Sequence, residues 1–180
     1  FDINIETDAV RWKNSYRHKS KRKIIKHTFP KLSPSGIEAI ILNARKPIFK
    51  ERDVRKAISL LFPYHFINKI VNHSLLKQTY GPWDNSELAA RLEPDETTIN
   101  ILTKYKDITS KEALKKLKKW PSDERNIIRQ SITLLKKSGW KIINQKMQNI
   151  KTGKLLSFQV ITNKNKMEKL LLIWKDKLKK

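Results

Sequence analysis

Catalysis and metal binding need particular side chains at particular spacings, and this chain has few of them. It has no cysteine, which excludes disulfides, thiolate metal sites and cysteine nucleophiles. Its four histidines, His18, His27, His65 and His73, form no His-x-x-x-His pair. His65 and His73 stand eight apart, but two histidines without a third ligand do not make a zinc site. Ser86 and Glu87 are neighbours with no base placed beside them, and there is no Gly-x-Ser-x-Gly elbow. Asp95 and Glu96 read as solvated acids of a loop or first helical turn. The four glycines are scattered, so no phosphate-cradling loop or dinucleotide fingerprint is present. The expectation is a protein that is not an enzyme and carries no cofactor or metal. Binding, transport and assembly remain.

The residues suited to contact lie in "QTYGPWDNSELAA", residues 78–90. Tyr80 and Trp83 offer apolar faces, and Asn85 and Ser86 offer groups that bond a peptide backbone. Trp83 has a second reading, as a cap on the core beneath the loop. Burial decides between the two.

The flanking elements follow from periodicity and punctuation. Thr7 or Asp8 caps a short helix carrying Val10, Trp12 and Tyr16. Residues 17–36 form a basic and Pro-containing loop region, with a basic run from Arg17 to His27 that reads as a solvated loop or as a polyanion or targeting patch. Residues 37–42, "IEAIIL", read as a buried strand. Pro47 ends it. Glu51 and Asp53 suit a helix N-terminus, and Val54, Ile58, Leu61 and Phe62 mark that helix's core face. Pro63 breaks it, and a second helix follows with Phe66, Ile67, Ile70 and Val71 as its apolar face.

Ala113, Leu114 and Leu117 predict a helix over residues 110–120. Ser122 is the expected N-cap of the next helix, whose last turn holds Lys136 and Lys137. Gly139 takes the left-handed position after it, with Trp140 packing back. Strands joined by turns follow, one turn at Thr152-Gly153. Met167, Leu170, Leu171, Trp174 and Leu178 then share one helix face, packed on a sheet or lying on a membrane surface.

The formal charge is +23, but lysine outnumbers arginine 31 to 9 and is spread along the chain. Readers of nucleic acid lean on arginine for bidentate contacts. Excess Lys, Ile and Asn look more like compositional drift of an AT-rich genome. A basic nucleic-acid-binding module stays as the alternative, with sequence-specific binding not expected. No apolar run reaches the ~20 residues of a membrane span, and the first residues show no signal-peptide pattern.

One stretch carries more than pattern. "GIEAIILNARKPIFKERDVRKAISLLF" resembles a segment of family 5 extracellular solute-binding proteins, in which a Phe-Asn-Thr strand leads through a Pro-Pro-Phe loop into a Val-Arg-x-Ala helix. The matching residues are Leu42, Asn43, Arg45, Pro47, Phe49, Val54, Arg55 and Ala57. "FINKIV" is similar to the segment that follows in the family. "NSELAA" is similar to a stretch of the subfamily handling oligopeptides and microcin C. "LLKKSGWKI" resembles its Leu-Leu-x-x-Ala-Gly-Trp helix end, "TGKLLSFQVI" fits the hairpin after it, and "VRWKNSY" resembles an N-terminal segment.

The resemblance implies an α/β fold, a partial lobe of type II periplasmic-binding-protein kind, forming one partial domain over residues 1–180. It implies the substrate-binding component of an ABC importer, periplasmic, with an oligopeptide ligand and membrane permease subunits as partners. The receptor itself performs no chemistry. Tyr80, Trp83, Asn85 and Ser86 become peptide-binding candidates. Family members are several times longer, so the expectation is a partial chain, without the whole ligand cleft, that is a working part or an inactive remnant. Lys50 stands where the family usually has an acid, and Pro63 where it often has aspartate.

Overall fold

The computed structural model describes residues 5–6, 8–14, 25–30, 32–34, 36–90, 93–116 and 119–179. Thr7, Tyr16, Leu117 and most of the basic run lie outside them. The chain gathers into two compact units, one of residues 1–15, 40–76 and 120–180, the other of residues 16–39 and 77–119.

In the first unit, helix α1 spans Ala9–Asn14, and the Asp8 carboxylate accepts the Arg11 N–H at 2.9 Å. Asn43 opens the turn before α2 by accepting the Arg45 N–H at 3.0 Å. Pro47 then starts a single 3₁₀ turn, Pro47–Phe49, where its missing N–H costs nothing. Arg55 donates to the carbonyls of Phe49 at 2.6 Å and Lys50 at 2.8 Å. It thereby satisfies acceptors that the turn leaves open.

Helix α2, Arg52–Leu60, buries Val54, Ala57 and Ile58, while Leu61 and Phe62 are half-buried. It packs on α5, Glu124–Lys137. Ser131 is 1 % exposed and donates to the Ala57 carbonyl at 3.3 Å. Small side chains at both positions let the two helices approach closely.

Asp123, not Ser122, caps α5, accepting the N–H groups of Arg125 and Asn126. Lys136 and Lys137 fill its last turn, and Lys137 lies 3.1 Å from Asp53 of α2. Gly139 (φ +79) then turns the chain, and Trp140 is buried.

Strands β1, Trp140–Ile143, and β2, Lys146–Asn149, pair antiparallel with Trp140 opposite Asn149. Asn144 (φ 48) and Gln145 (φ 61) join them, the two left-handed residues of a tight hairpin turn. Helix α6, Asn165–Leu178, buries Leu170 and Trp174 and half-buries Met167, Leu171 and Leu178, the face its sequence predicts. Phe49, Phe158, Trp174 and Phe62 run ring to ring through the core at centroid separations of 5.3, 5.9 and 5.6 Å.

Several expectations need correction. Residues 37–42 belong to no strand. Ile40 and Leu42 pack against the core, whereas Ile37 is exposed and Ile41 is 89 % exposed. Residues 40–42 alternate as a strand does, but the run joins no sheet among the described residues. Helix α3, Tyr64–Ile70, buries Ile67 and leaves Phe66 and Ile70 exposed. Those two form a row about 100° from the row of Ile67 and Val71, and so short a helix sets one row on the core. Beyond the Thr152-Gly153 turn, a single bridge links Leu155 to Gln148, and Leu156 N–H bonds to the Met147 carbonyl at 2.8 Å. With Asn149 N–H to the Lys154 carbonyl at 2.9 Å, these bonds fold the segment back antiparallel on β2 as a short hairpin, without a regular third strand among the described residues.

The second unit holds helix α4, Glu96–Lys104, which periodicity does not announce. It buries no residue. Asp95 caps it, accepting the Thr98 N–H at 2.8 Å. Of the span 110–120, where a helix is expected, the described residues form a 3₁₀ turn, Lys111–Leu114, and residues 117–118 lie outside them. Its few apolar residues cannot offset the cost of nucleating a longer helix; Leu114 is itself exposed.

Candidate functional site

The loop holding the four contact candidates closes on itself. A Cβ built on Gly81 would stand 3.7 Å from that of Ala90, so its two ends are neighbours. Between them the backbone turns through short bonds: Ser86 N–H to the Trp83 carbonyl at 3.2 Å, and Ala89 N–H to the Ser86 carbonyl at 3.1 Å. The Ser86 hydroxyl donates to the Trp83 carbonyl at 2.6 Å and accepts the Leu88 N–H at 3.2 Å. Asn85 sits in the left-handed region (φ 60), a conformation asparagine tolerates. Its amide donates to the Ser33 carbonyl at 3.3 Å.

The two polar candidates therefore shape the loop. The two aromatic ones differ: Tyr80 is half-buried, and Trp83 is 58 % exposed. Trp83 is no core residue. Leu88, which sequence reasoning passed over, is also exposed on this loop. Its position two residues after Ser86, in a serine-anchored turn, is the signal that places it outside.

The remaining chemistry-bearing residues do not converge. His65 Nε2 lies 3.0 Å from the Trp120 carbonyl, a structural bond. His73 (φ 51) sits in the turn after α3. No group of three or more His, Cys, Asp or Glu among the described residues is arranged to hold a metal ion. Ion pairs such as Lys177–Glu124 at 2.5 Å and Lys116–Glu93 lie at the surface, and the excess of 23 cations leaves the surface strongly basic. No helix among the described residues is long and apolar enough to cross a membrane.

Comparison with known proteins bears on this arrangement. The chain is 29 % identical over 168 residues to a protein of Escherichia coli (strain K12) named YejA, covering 89 % of this chain and 28 % of that protein. It is 24 % identical over 188 residues to the "Probable peptide-binding protein YejA" of Agrobacterium fabrum (strain C58 / ATCC 33970), covering 99 % and 31 %. It is also 24 % identical over 184 residues to the "Peptidoglycan-binding protein YepA" of the same organism, covering 98 % and 30 %. The chain thus spans less than a third of the length of these relatives. The family model described as the middle part of the bacterial extracellular solute-binding proteins, family 5, matches residues 4–180. With nearly its whole length matched, the chain belongs to the family 5 bacterial extracellular solute-binding proteins.

Proposed function

We propose that these residues are part of the binding component of an ABC importer for oligopeptides. They form one part of a solute-binding domain, of the type II lobe kind, working in the periplasm without catalysis of its own. Membrane permease subunits receive the loaded receptor. The observation that carries the reading is the family match over residues 4–180. The name of the Agrobacterium YejA supports a peptide as solute. The name of YepA adds the peptide portion of peptidoglycan to the solutes worth testing.

In this reading Trp83 presents its indole face to an apolar side chain of the peptide, and Tyr80 backs it. Asn85 and Ser86 hold the loop in the shape that exposes Trp83, a role their internal bonds support. The basic surface attracts polyanions without selecting among them.

The test titrates three ligands by calorimetry: a mixed oligopeptide pool, a muropeptide fraction and duplex DNA. The receptor is assembled by co-expressing this chain with the rest of the E. coli relative. Saturable binding of peptides or muropeptides is expected. DNA binding is expected to be weak and to vanish near 0.15 M salt, because it rests on counterion release alone. Sequence-selective DNA binding at that salt, with no binding of either peptide class, would replace the proposal with the nucleic-acid reading.

A further inference from the structure

The chain leaves the first unit after Leu76 and returns to it at Trp120. Both points are held by helix α3. The Asn68 side-chain amide donates to the Leu76 carbonyl at 2.8 Å, and its oxygen accepts the Leu76 N–H at 3.2 Å. The Tyr64 hydroxyl donates to the same carbonyl at 3.3 Å. His65 Nε2 lies 3.0 Å from the Trp120 carbonyl. A carbonyl only accepts, so that nitrogen carries the proton. Tyr64 and Asn68 are four residues apart and stack on one side of the helix, and His65 stands in the same turn. One turn of α3 thus grips both roots of residues 77–119.

Two further observations make this grip more than a surface contact. The chain between α3 and Leu76 is bent into place, with His73 (φ 51) and Ser74 (φ 62) both in the left-handed region, which crowds a residue carrying a Cβ. Ser74 N–H bonds to the Asn68 carbonyl at 2.8 Å. Asn68 therefore fixes the bend with its backbone and the root with its side chain. The protein interior also ends at the roots. Every buried residue among the described ones, Ile58, Leu135 and Trp174 included, belongs to the first unit. Between the roots α4 buries nothing, and Ile99, Ile101, Tyr105 and Ile108 are exposed.

We propose that residues 77–119 are an arm that opens as one cooperative unit while the first unit stays folded, and that Asn68 and His65 are the clamps at which the opening stops. Segments with few buried contacts open at lower free energy than the core they join. An opening that reached Leu76 would break both Asn68 side-chain bonds and release the bend. One that ends at residue 77 breaks neither. The arm carries Trp83, but the inference concerns its roots and not what the loop binds, so a failure to bind peptide leaves it standing.

Hydrogen exchange of the 180-residue chain, read by NMR at rising denaturant below the unfolding transition, tests it. The amides of Ser86, Ala89, Ile99 and Tyr105, each in a backbone hydrogen bond, share one denaturant dependence. They exchange at least about 100-fold faster than those of Ile58 in α2 and Leu135 in α5. The Ser74 and Leu75 amides follow Ile58 and Leu135. Asn68→Ala moves Ser74 and Leu75 into the faster group, although their own acceptors, the backbone carbonyls of Asn68 and Asn72, remain in place. Ile58 and Leu135 stay unchanged. Tyr64→Phe, which removes one of three bonds at that root, has a smaller effect. His65→Ala moves the buried Trp120 indole N–H into the faster group in the same way.

The proposal is overturned if the amides of residues 77–119 and those of α2 and α5 open together, or if the former share no common denaturant dependence. It is overturned equally if Asn68→Ala leaves Ser74 and Leu75 with the core, or speeds Ile58 and Leu135 as much as them. A Trp120 indole unmoved by His65→Ala removes His65 as a clamp.

Discussion

Two stretches, each matching a family motif, are put to opposite uses. In residues 42–57 nearly every motif residue works for the fold. Leu42 and Phe49 pack on the core, Asn43 bonds the turn, Pro47 starts it, Arg55 closes it, and Val54 and Ala57 lie fully buried on α2. In residues 81–90 the motif shapes a loop whose large apolar side chains, Trp83 and Leu88, point outward with nothing over them. The first stretch is a scaffold. In the proposed function the second presents Trp83 to a ligand, and substitutions in the two should then separate stability from binding.

The largest losses of stability belong to the scaffold. Trp174→Ala removes a buried ring that touches Phe62 and Phe158, and denaturant unfolding should show a loss of about 3–5 kcal/mol. Ile58→Ala, at a site 1 % exposed, should cost about 2–5 kcal/mol by the same measurement. Arg55→Ala comes next. It strands two turn carbonyls that now accept a charged donor, so a loss of about 1.5–3 kcal/mol is expected. Arg55→Lys should recover part of it, because both bonds leave a single nitrogen, Nη1, and an ammonium also carries several donors on one nitrogen. No recovery by lysine would show that the reach and planarity of the guanidinium, not charge alone, matter at the turn.

Legibility in the sequence followed the same division. Where a signal was local and self-contained, it survived folding. The α2 face, the Gly139 turn with Trp140 behind it and the α6 stripe all stand as their spacing predicts. Failures came where the outcome depends on a distant partner. Residues 37–42 have the composition of a buried strand but join no sheet among the described residues. Phe66 and Ile70 sit on the row of α3 that faces away from the core.

Competing caps caused other misses. Ser122 and Asp123 both suit an N-cap, and only geometry shows that the Asp123 carboxylate reaches two N–H groups. Helix α4 was announced only by its Asp95 cap and Glu96, because it buries nothing and so has no apolar stripe to read. In the loop, the residue types were legible but their engagement was not. Asn85 and Ser86 have the groups for a ligand and use them on Ser33 and Trp83.

Asp123→Ala sharpens the cap assignment and should cost about 1 kcal/mol, whereas Ser122→Ala should stay within ~0.5 kcal/mol. The reverse order, measured by thermal unfolding, would return the cap to Ser122.

The most direct test of the division between scaffold and presentation is Trp83→Ala in the assembled receptor, titrated with peptide by calorimetry and unfolded in parallel. Trp83 is mostly exposed, so stability should change by less than ~0.5 kcal/mol. Peptide affinity should fall about tenfold, near 1.4 kcal/mol. Unchanged affinity, or a loss of stability of about 3 kcal/mol or more as for a core aromatic, would contradict the account.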